Sequence, residues 1–185
     1  MELSELKGSV VGVISRDYQV DDFKDSLVRD LITKRVDESL KMVRLDAKVL
    51  DMKFSELSSR DKSKVILASK LHDKVIVLVD FSKGLIKKDY SYFKALFKKI
   101  VQYGRKVILI EAKSDIFLGC ADRIYVISGG EVKYDTLNIF DKVLLSYVDS
   151  PKIVQFEQKC DDKGIRLDYY TELDELLKAI YRIKS

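Results

Sequence analysis

The chain is 185 residues long, 46% hydrophobic and 35% charged, which fits one globular domain with room for a small appendage. At that length roughly 70% of the unfolded surface can be buried, enough for a real core. Its 34 basic and 30 acidic residues leave a net charge of +4, which permits contact with nucleic acid or a membrane surface and requires neither.

One proline and eight glycines argue against disorder or a long linker. Cys120 and Cys160 stand alone, without metal spacing, and read as reduced thiols of a cytoplasmic protein. His72 is the only histidine, so His-based metal sites and Ser-His-Asp triads have little to work with. The opening Met1-Glu2-Leu3-Ser4-Glu5 does not have the character of a signal peptide. No apolar run approaches the ~20 residues of a membrane span.

In chain order, residues 9–15 (SVVGVIS) read as a short buried strand. Asp21, Asp22 and Asp25 suit a helix N-terminus and its dipole. Phe23, Leu27, Val28, Leu31 and Ile32 follow at helical spacing. Residues 34–45 are a second amphipathic helix, with Val36, Leu40 and Val43 on one face. Residues 54–61 form a loop with helix-capping residues, and 62–71 a helix with Val65, Ile66 and Ala68 inward. Next comes Val75-Ile76-Val77-Leu78-Val79-Asp80. An apolar run of this kind predicts a central strand of a parallel sheet, buried on both faces. Asp80 then falls at the strand's carboxyl end, where open α/β sheets place their ligands.

After a turn at 81–85, residues 88–103 give the clearest helix, its stripe made by Phe93, Leu96, Phe97, Ile100 and Val101. Gly104 is a natural C-cap. A strand at 106–110, a short helix at 115–120 and a strand at 123–128 come next. Gly129-Gly130 closes a hairpin onto residues 131–134. The pattern predicts an α/β fold with a largely parallel sheet. Beyond it the chain changes character. A helix over 136–147 precedes Ser150-Pro151, an N-cap and N1 proline that open a helix ended by Gly164. Thr171 and Asp174 make a capping-box variant before a last helix with Leu173, Leu176, Leu177 and Ile180 inward. The expected division is an α/β domain over 1–135 and a helical region over 136–185.

The order of these parts resembles the second half of an ABC-transporter ATPase domain, a P-loop-NTPase-like fold. Phe54-Ser55-Glu56-Leu57-Ser58-Ser59-Arg60-Asp61 looks like the signature loop, whose usual core is Leu-Ser-Gly-Gly-Gln. The run ending in Asp80 looks like Walker B, and Gly84-Leu85 like part of the loop after it. The 107–110 strand with Glu111-Ala112-Lys113 resembles the strand and switch loop that normally carry Thr-His-Asp. Ala121-Asp122-Arg123 and Gly129-Gly130-Glu131-Val132 match the end of the cassette. Val13-Ile14-Ser15-Arg16-Asp17 resembles the Q-loop, with Arg16 at the glutamine position. In the tail, Ser150-Pro151-Lys152-Ile153-Val154, Lys163-Gly164-Ile165-Arg166-Leu167 and Thr171-Glu172-Leu173 are similar to the C-terminal region of energy-coupling-factor ATPases. In that group the region helps two ATPase subunits pair.

The departures from the family pattern matter as much. No Gly-x-x-x-x-Gly-Lys-[Ser/Thr], the loop that cradles phosphates, occurs in the 185 residues. Phe81 stands at the catalytic glutamate, Ala112 at the switch histidine, Arg16 at the Q-loop glutamine, and Ser59 and Arg60 at the signature glycines. Side chains at 59 and 60 obstruct close backbone approach to a γ-phosphate, although Arg60 could itself pair with one. The expectation is therefore a degenerate, non-catalytic cassette with no cofactor of its own. ATP and Mg²⁺ would be held only if a partner chain supplied the P-loop.

Such a subunit would act as a scaffold or regulatory partner at the inner face of a membrane. Its partner would be a second copy, a complete ABC ATPase or a membrane coupling protein. Without a first half, the Val10–Ile14 strand or its neighbours would present an unpaired edge for that partner. Two other readings compete. One is an α/β enzyme of another class using Asp80, Glu111 and Lys113 as acid–base or metal groups. The other is a nucleic-acid binder using the lysine-rich 87–106 region with Tyr90, Tyr92 and Tyr103. No groove-binding motif supports the last, and nucleic acid is not expected as a partner.

Overall fold

The structure, a computed structural model, describes residues 2–19, 23 and 25–183. It is an α/β fold built on five strands: β1 (Val10–Ile14), β2 (Val75–Val79), β3 (Lys106–Glu111), β4 (Arg123–Ser128) and β5 (Glu131–Thr136). Their order in the sheet is β2-β3-β1-β4-β5, parallel except for the final hairpin strand. The parallel strands bring the ends of β1, β2 and β3 (Ile14, Val79 and Glu111) to one edge, the place the sequence assigns to a ligand site.

Two expectations about the sheet change. The Val10–Ile14 strand has no free edge. It lies in the middle, with Val13 opposite Ile110 of β3 on one side and Tyr125 of β4 on the other. All five of its residues are buried, so a double-paired position satisfies both faces and both rows of backbone groups. The Val75–Val79 run, in contrast, is an edge strand. Ile76 and Leu78 are buried, while Val75, Val77 and Val79 are half-buried on the opposite face. Lys70 Nζ donates to the Val77 carbonyl at 3.2 Å, a charged blunting of that edge.

The main core fills one face of the sheet. There Val10, Ile14, Ile76, Leu78, Val107, Leu109, Ile124 and Val126 meet the apolar stripes of α2 (Val36–Val43), α3 (Ser59–Lys70) and α4 (Lys87–Gln102). The other face packs Val11, Val13, Ile108, Ile110, Tyr125 and Ile127 against Leu3, Leu6 and Tyr18. Gly12 makes room for close packing. A Cβ there would lie 2.9 Å from the Phe117 ring.

Several helices are shorter than their periodicity suggests. Asp21, Asp22 and Lys24 of the first lie outside the described residues. The rest of that segment is helical only over α1 (Val28–Leu31), because the backbone just before it is already committed. The Val28 N–H donates to Met52 O and the Phe54 N–H to Ser26 O, around a single bridge of Leu27 with Lys53. Residues 115–120 are a chain of turns, not a helix. Their apolar Ile116, Phe117 and Leu118 are buried all the same.

Residues 137–147 are also mostly turns. One carboxylate organises them: Asp141 accepts Tyr134 Oη–H, Thr136 Oγ–H and the Val143 N–H. That competes directly with helical bonding. The tail helices are α5 (Lys152–Asp162) and α6 (Leu173–Ile183). Pro151 occupies the capping position, one residue later than the sequence implies. Of the four α6 residues expected inward only Leu176 is buried; Leu173 and Leu177 are exposed.

Candidate functional site

Helix α3 runs back along β2, so its first turn stands beside the strand's carboxyl end. That places the signature-like loop next to Asp80. Ser58 caps the helix: its Oγ accepts the Asp61 N–H at 3.1 Å and donates to Asp61 Oδ2 at 2.8 Å. Leu57 is buried beneath the loop. The Ser59 backbone lies directly on Gly84, where a Cβ would come within 2.3 Å of Ser59 C and O. A cavity of about 240 Å³ between these segments is lined by residues including Phe54, Ser59, Lys62, Asp80, Phe81 and Lys83.

Asp80 adopts a left-handed conformation (φ 50°), tolerable for an aspartate, and turns the chain sharply into a 3-10 turn over Phe81–Gly84. Phe81 points inward. It is 2% exposed and packs edge-to-face on Phe93 and Phe97, with ring centroids 5.1 and 5.6 Å away. On the solvent side a cleft of about 440 Å³ is lined by residues including Asp80, Ser82, Tyr90, Glu111, Ala112 and Lys113. Ala112 and Lys113 are exposed there, and Arg16 is exposed after β1 without lining either cleft.

Glu111 is the buried acid of the cleft, 3% exposed. Its Oε1 accepts the Ser82 N–H at 2.9 Å and its Oε2 the Ser82 hydroxyl at 2.7 Å. Burial pushes its carboxyl up to about 7, against the pull of the Ser82 bonds and with the nearby Asp80 charge adding to the rise.

Arg60 does not reach into either cavity as a free cation. Its Nε and Nη2 hold both oxygens of Asp89, a residue that is 7% exposed. The same Asp89 accepts the Ile86 N–H at the start of α4.

These residues do not fit the phosphates of a nucleotide. A phosphate cradle needs converging backbone N–H groups. Here the Asp80 N–H goes to Ile110 O, the Ser82 N–H to Glu111 and the Lys83 N–H to Asp80 O. Among the described residues no group of three or more His, Cys, Asp or Glu side chains is placed to hold a metal ion. Ser82 and Asp89 are the two site residues that the sequence alone does not single out. An acid three residues after Ile86 is a legible helix-start signal for Asp89. Nothing local marks Ser82.

No family model matches the chain. It is similar to the energy-coupling factor transporter ATP-binding protein EcfA2 of Streptococcus agalactiae, 30% identical over 152 residues, covering 78% of this chain and 54% of the relative. The EcfA2 of Mycoplasma capricolum is 27% identical over 162 residues, covering 78% and 56%. The chain thus spans about half the length of these relatives. Among solved structures, it resembles the dimeric bacterial ABC transporter cassette MJ0796, with a TM-score of 0.52 at 21% identity over 70% of this chain and 63% of that one. A post-hydrolysis form of that cassette, bound to ADP and Pi, gives a TM-score of 0.54 at 18% identity.

The fold is that of an ABC-transporter ATPase domain, and the sequence lies close to the energy-coupling-factor ATPases. Asp80 follows directly on the last residue of β2, and Phe81 and Ala112 carry no polar side-chain group. No helix among the described residues is long and apolar enough to cross a membrane.

Proposed function

We propose that the chain is a non-catalytic ABC-ATPase-like subunit, a scaffold or regulatory partner of an energy-coupling-factor type transporter ATPase at the inner face of a membrane. The observation that carries this reading is Phe81. The residue after the strand-end aspartate is a fully buried ring in an aromatic cluster, so the loop is held by packing and offers no base to a water. Two features agree with it. The Arg60 guanidinium is engaged by Asp89, and the loop's backbone N–H groups are consumed internally. Residues 136–185 serve as the pairing region in this reading. They expose Phe156, Leu173, Leu177 and Tyr181, and the partner is a second copy, a complete ABC ATPase or a membrane coupling protein.

The test is a calorimetric titration of the chain with Mg-ATP. No saturable binding is expected at sub-millimolar nucleotide. A site with Kd near ~10 μM, about 7 kcal/mol of binding, would overturn the reading.

A second reading, an α/β enzyme using Asp80, Glu111 and Lys113, has one observation in its favour. The 440 Å³ cleft holds a buried carboxyl poised near neutrality, the range suited to a general base. Substrate turnover abolished by Glu111→Gln would establish it in place of the first.

A further inference from the structure

Strand β2 closes one side of the sheet, and its outer edge has no neighbouring strand among the described residues. The bonds to β3 fix which of its residues face outward. The Lys106 N–H donates to Lys74 O and the Asp80 N–H to Ile110 O, so Lys74, Ile76, Leu78 and Asp80 turn their backbone groups toward β3. Val75, Val77 and Val79, in between, turn theirs away from the sheet. The Val77 carbonyl accepts from Lys70 Nζ at 3.2 Å. The other outward backbone groups of the three valines meet no polar partner among the described residues. Helix α3 runs alongside this edge, with Ser59, Ser63, Ile66 and Lys70 on one of its faces. Where the edge ends, Phe54, Ile66, Val79 and Phe81 line the cavity of about 240 Å³, together with Lys62 and Lys83. The strip is basic. Exposed Lys74 precedes it, Lys70 lies at its middle, and Lys62 and Lys83 stand at its end. Asp80 is the single acid lining the cavity, and the nearby Asp73 is engaged by Lys34 at 3.3 Å.

We propose that the outer edge of β2 docks an extended, acidic segment of a partner protein as a sixth strand. The outward N–H and C=O groups of Val75, Val77 and Val79 supply the ladder, which is how a sheet edge takes up a peptide. An apolar side chain of the segment fills the cavity beside Phe54 and Phe81, and its carboxylates meet the lysines. The charge decides between occupants. A lysine on an edge works against pairing with an apolar strand, and two copies joined edge to edge would bring two Lys70 side chains together. An acidic strand reverses both effects. The surface is separate from residues 136–185 and does not depend on their pairing role.

The experiment is amide hydrogen exchange and calorimetry on the full chain at low, constant ionic strength. The probes are an acetyl-Glu-Val-Glu-Val-Glu-Val-amide peptide and its counterpart with Lys for every Glu. In the free chain the Val75, Val77 and Val79 amides should exchange much faster than those of Ile76 and Leu78, which face β3. The acidic peptide should bind saturably and slow the exchange of those three amides. The lysine peptide should bind at least tenfold more weakly. Val77→Pro removes an outward N–H and no bond to β3, a place where an edge strand tolerates proline, and should abolish binding. Lys70→Glu leaves the strand intact, should weaken binding at least tenfold, and keeps the proposal falsifiable if the proline variant misfolds. The proposal fails if the three amides are already protected in the free chain, whether by its own residues or by a second copy. It also fails if the acidic peptide does not saturate, if the lysine peptide binds as tightly, or if the folded variants bind like the wild type.

Discussion

Arg60 and Asp89 form a two-pronged ion pair, Nε to Oδ2 at 2.7 Å and Nη2 to Oδ1 at 2.5 Å, that ties the first turn of α3 to the first turn of α4. The Arg60 hydrogen bonds hold the Asp89 carboxyl below the usual range, against the cost of burial, with the Ile86 N–H helping. A depressed carboxyl contributes stability above its unfolded pKa and loses it as pH falls through the folded value. Asp89→Asn should cost about 2 kcal/mol at pH 7, by loss of a charged bond and a helix-start contact. Its stability should also fall less steeply than the wild type's below about pH 4. Urea unfolding at several pH values measures both. An unchanged acid limb would mean that the pair contributes nothing.

Phe81 is a packing residue, 2% exposed beside Phe93 and Phe97. Phe81→Ala should destabilise the fold by about 3–5 kcal/mol through the cavity left beside Phe93 and Phe97. The double change Phe81→Glu with Ala112→His should produce no ATP hydrolysis, since the loop after β2 offers no converging backbone N–H groups among the described residues, and should lower stability by burying an unpaired carboxylate. Phosphate release above the wild-type background would refute the first part; an unshifted unfolding midpoint would refute the second.

Gly84 is needed for contact rather than for a special backbone angle. A Cβ there meets main-chain atoms of Ser59 and Arg60 at 2.3–2.7 Å, which cannot rotate away. Gly84→Ala should therefore cost about 1–3 kcal/mol by overpacking. Differential scanning calorimetry reads the loss. A neutral substitution would show that the α3 start and the 81–84 turn do not press on each other.

Glu111 gives a pH dependence of the opposite sign to that of Asp89. Its carboxyl is raised by burial from 4.5 to about 7. Between those values the folded chain holds a proton that the unfolded chain has released, so stability falls as pH rises through that window and is level above it. The loss should be on the order of 3 kcal/mol, at about 1.4 kcal/mol per unit. Glu111→Gln should flatten the profile between about pH 5 and 8 and match or exceed wild-type stability at the upper end. A wild-type profile already flat over that range would show that Glu111 is not buried as charged.

The amino-acid sequence by itself determined the features that depend on near neighbours. The apolar runs at 10–14, 75–79 and 106–110 became strands. The Phe93–Val101 stripe became α4, Ser58 and Asp61 capped α3, and Gly129-Gly130 turned the hairpin, because each signal is complete within a few residues. The order of those parts was also enough to point to the cassette fold. Only the tertiary structure decided which strand lies at the centre. An all-apolar run reads the same at an edge as in the middle, and the partners of β1 are far away in sequence. The site's polar pairs are equally remote: Arg60 with Asp89 and Ser82 with Glu111 each span 29 residues and leave no local periodicity. The expected 136–147 helix was lost for a related reason. Its apolar spacing was real, but one carboxylate, Asp141, had three donors within reach and took them, and a helix would have had to give those bonds up.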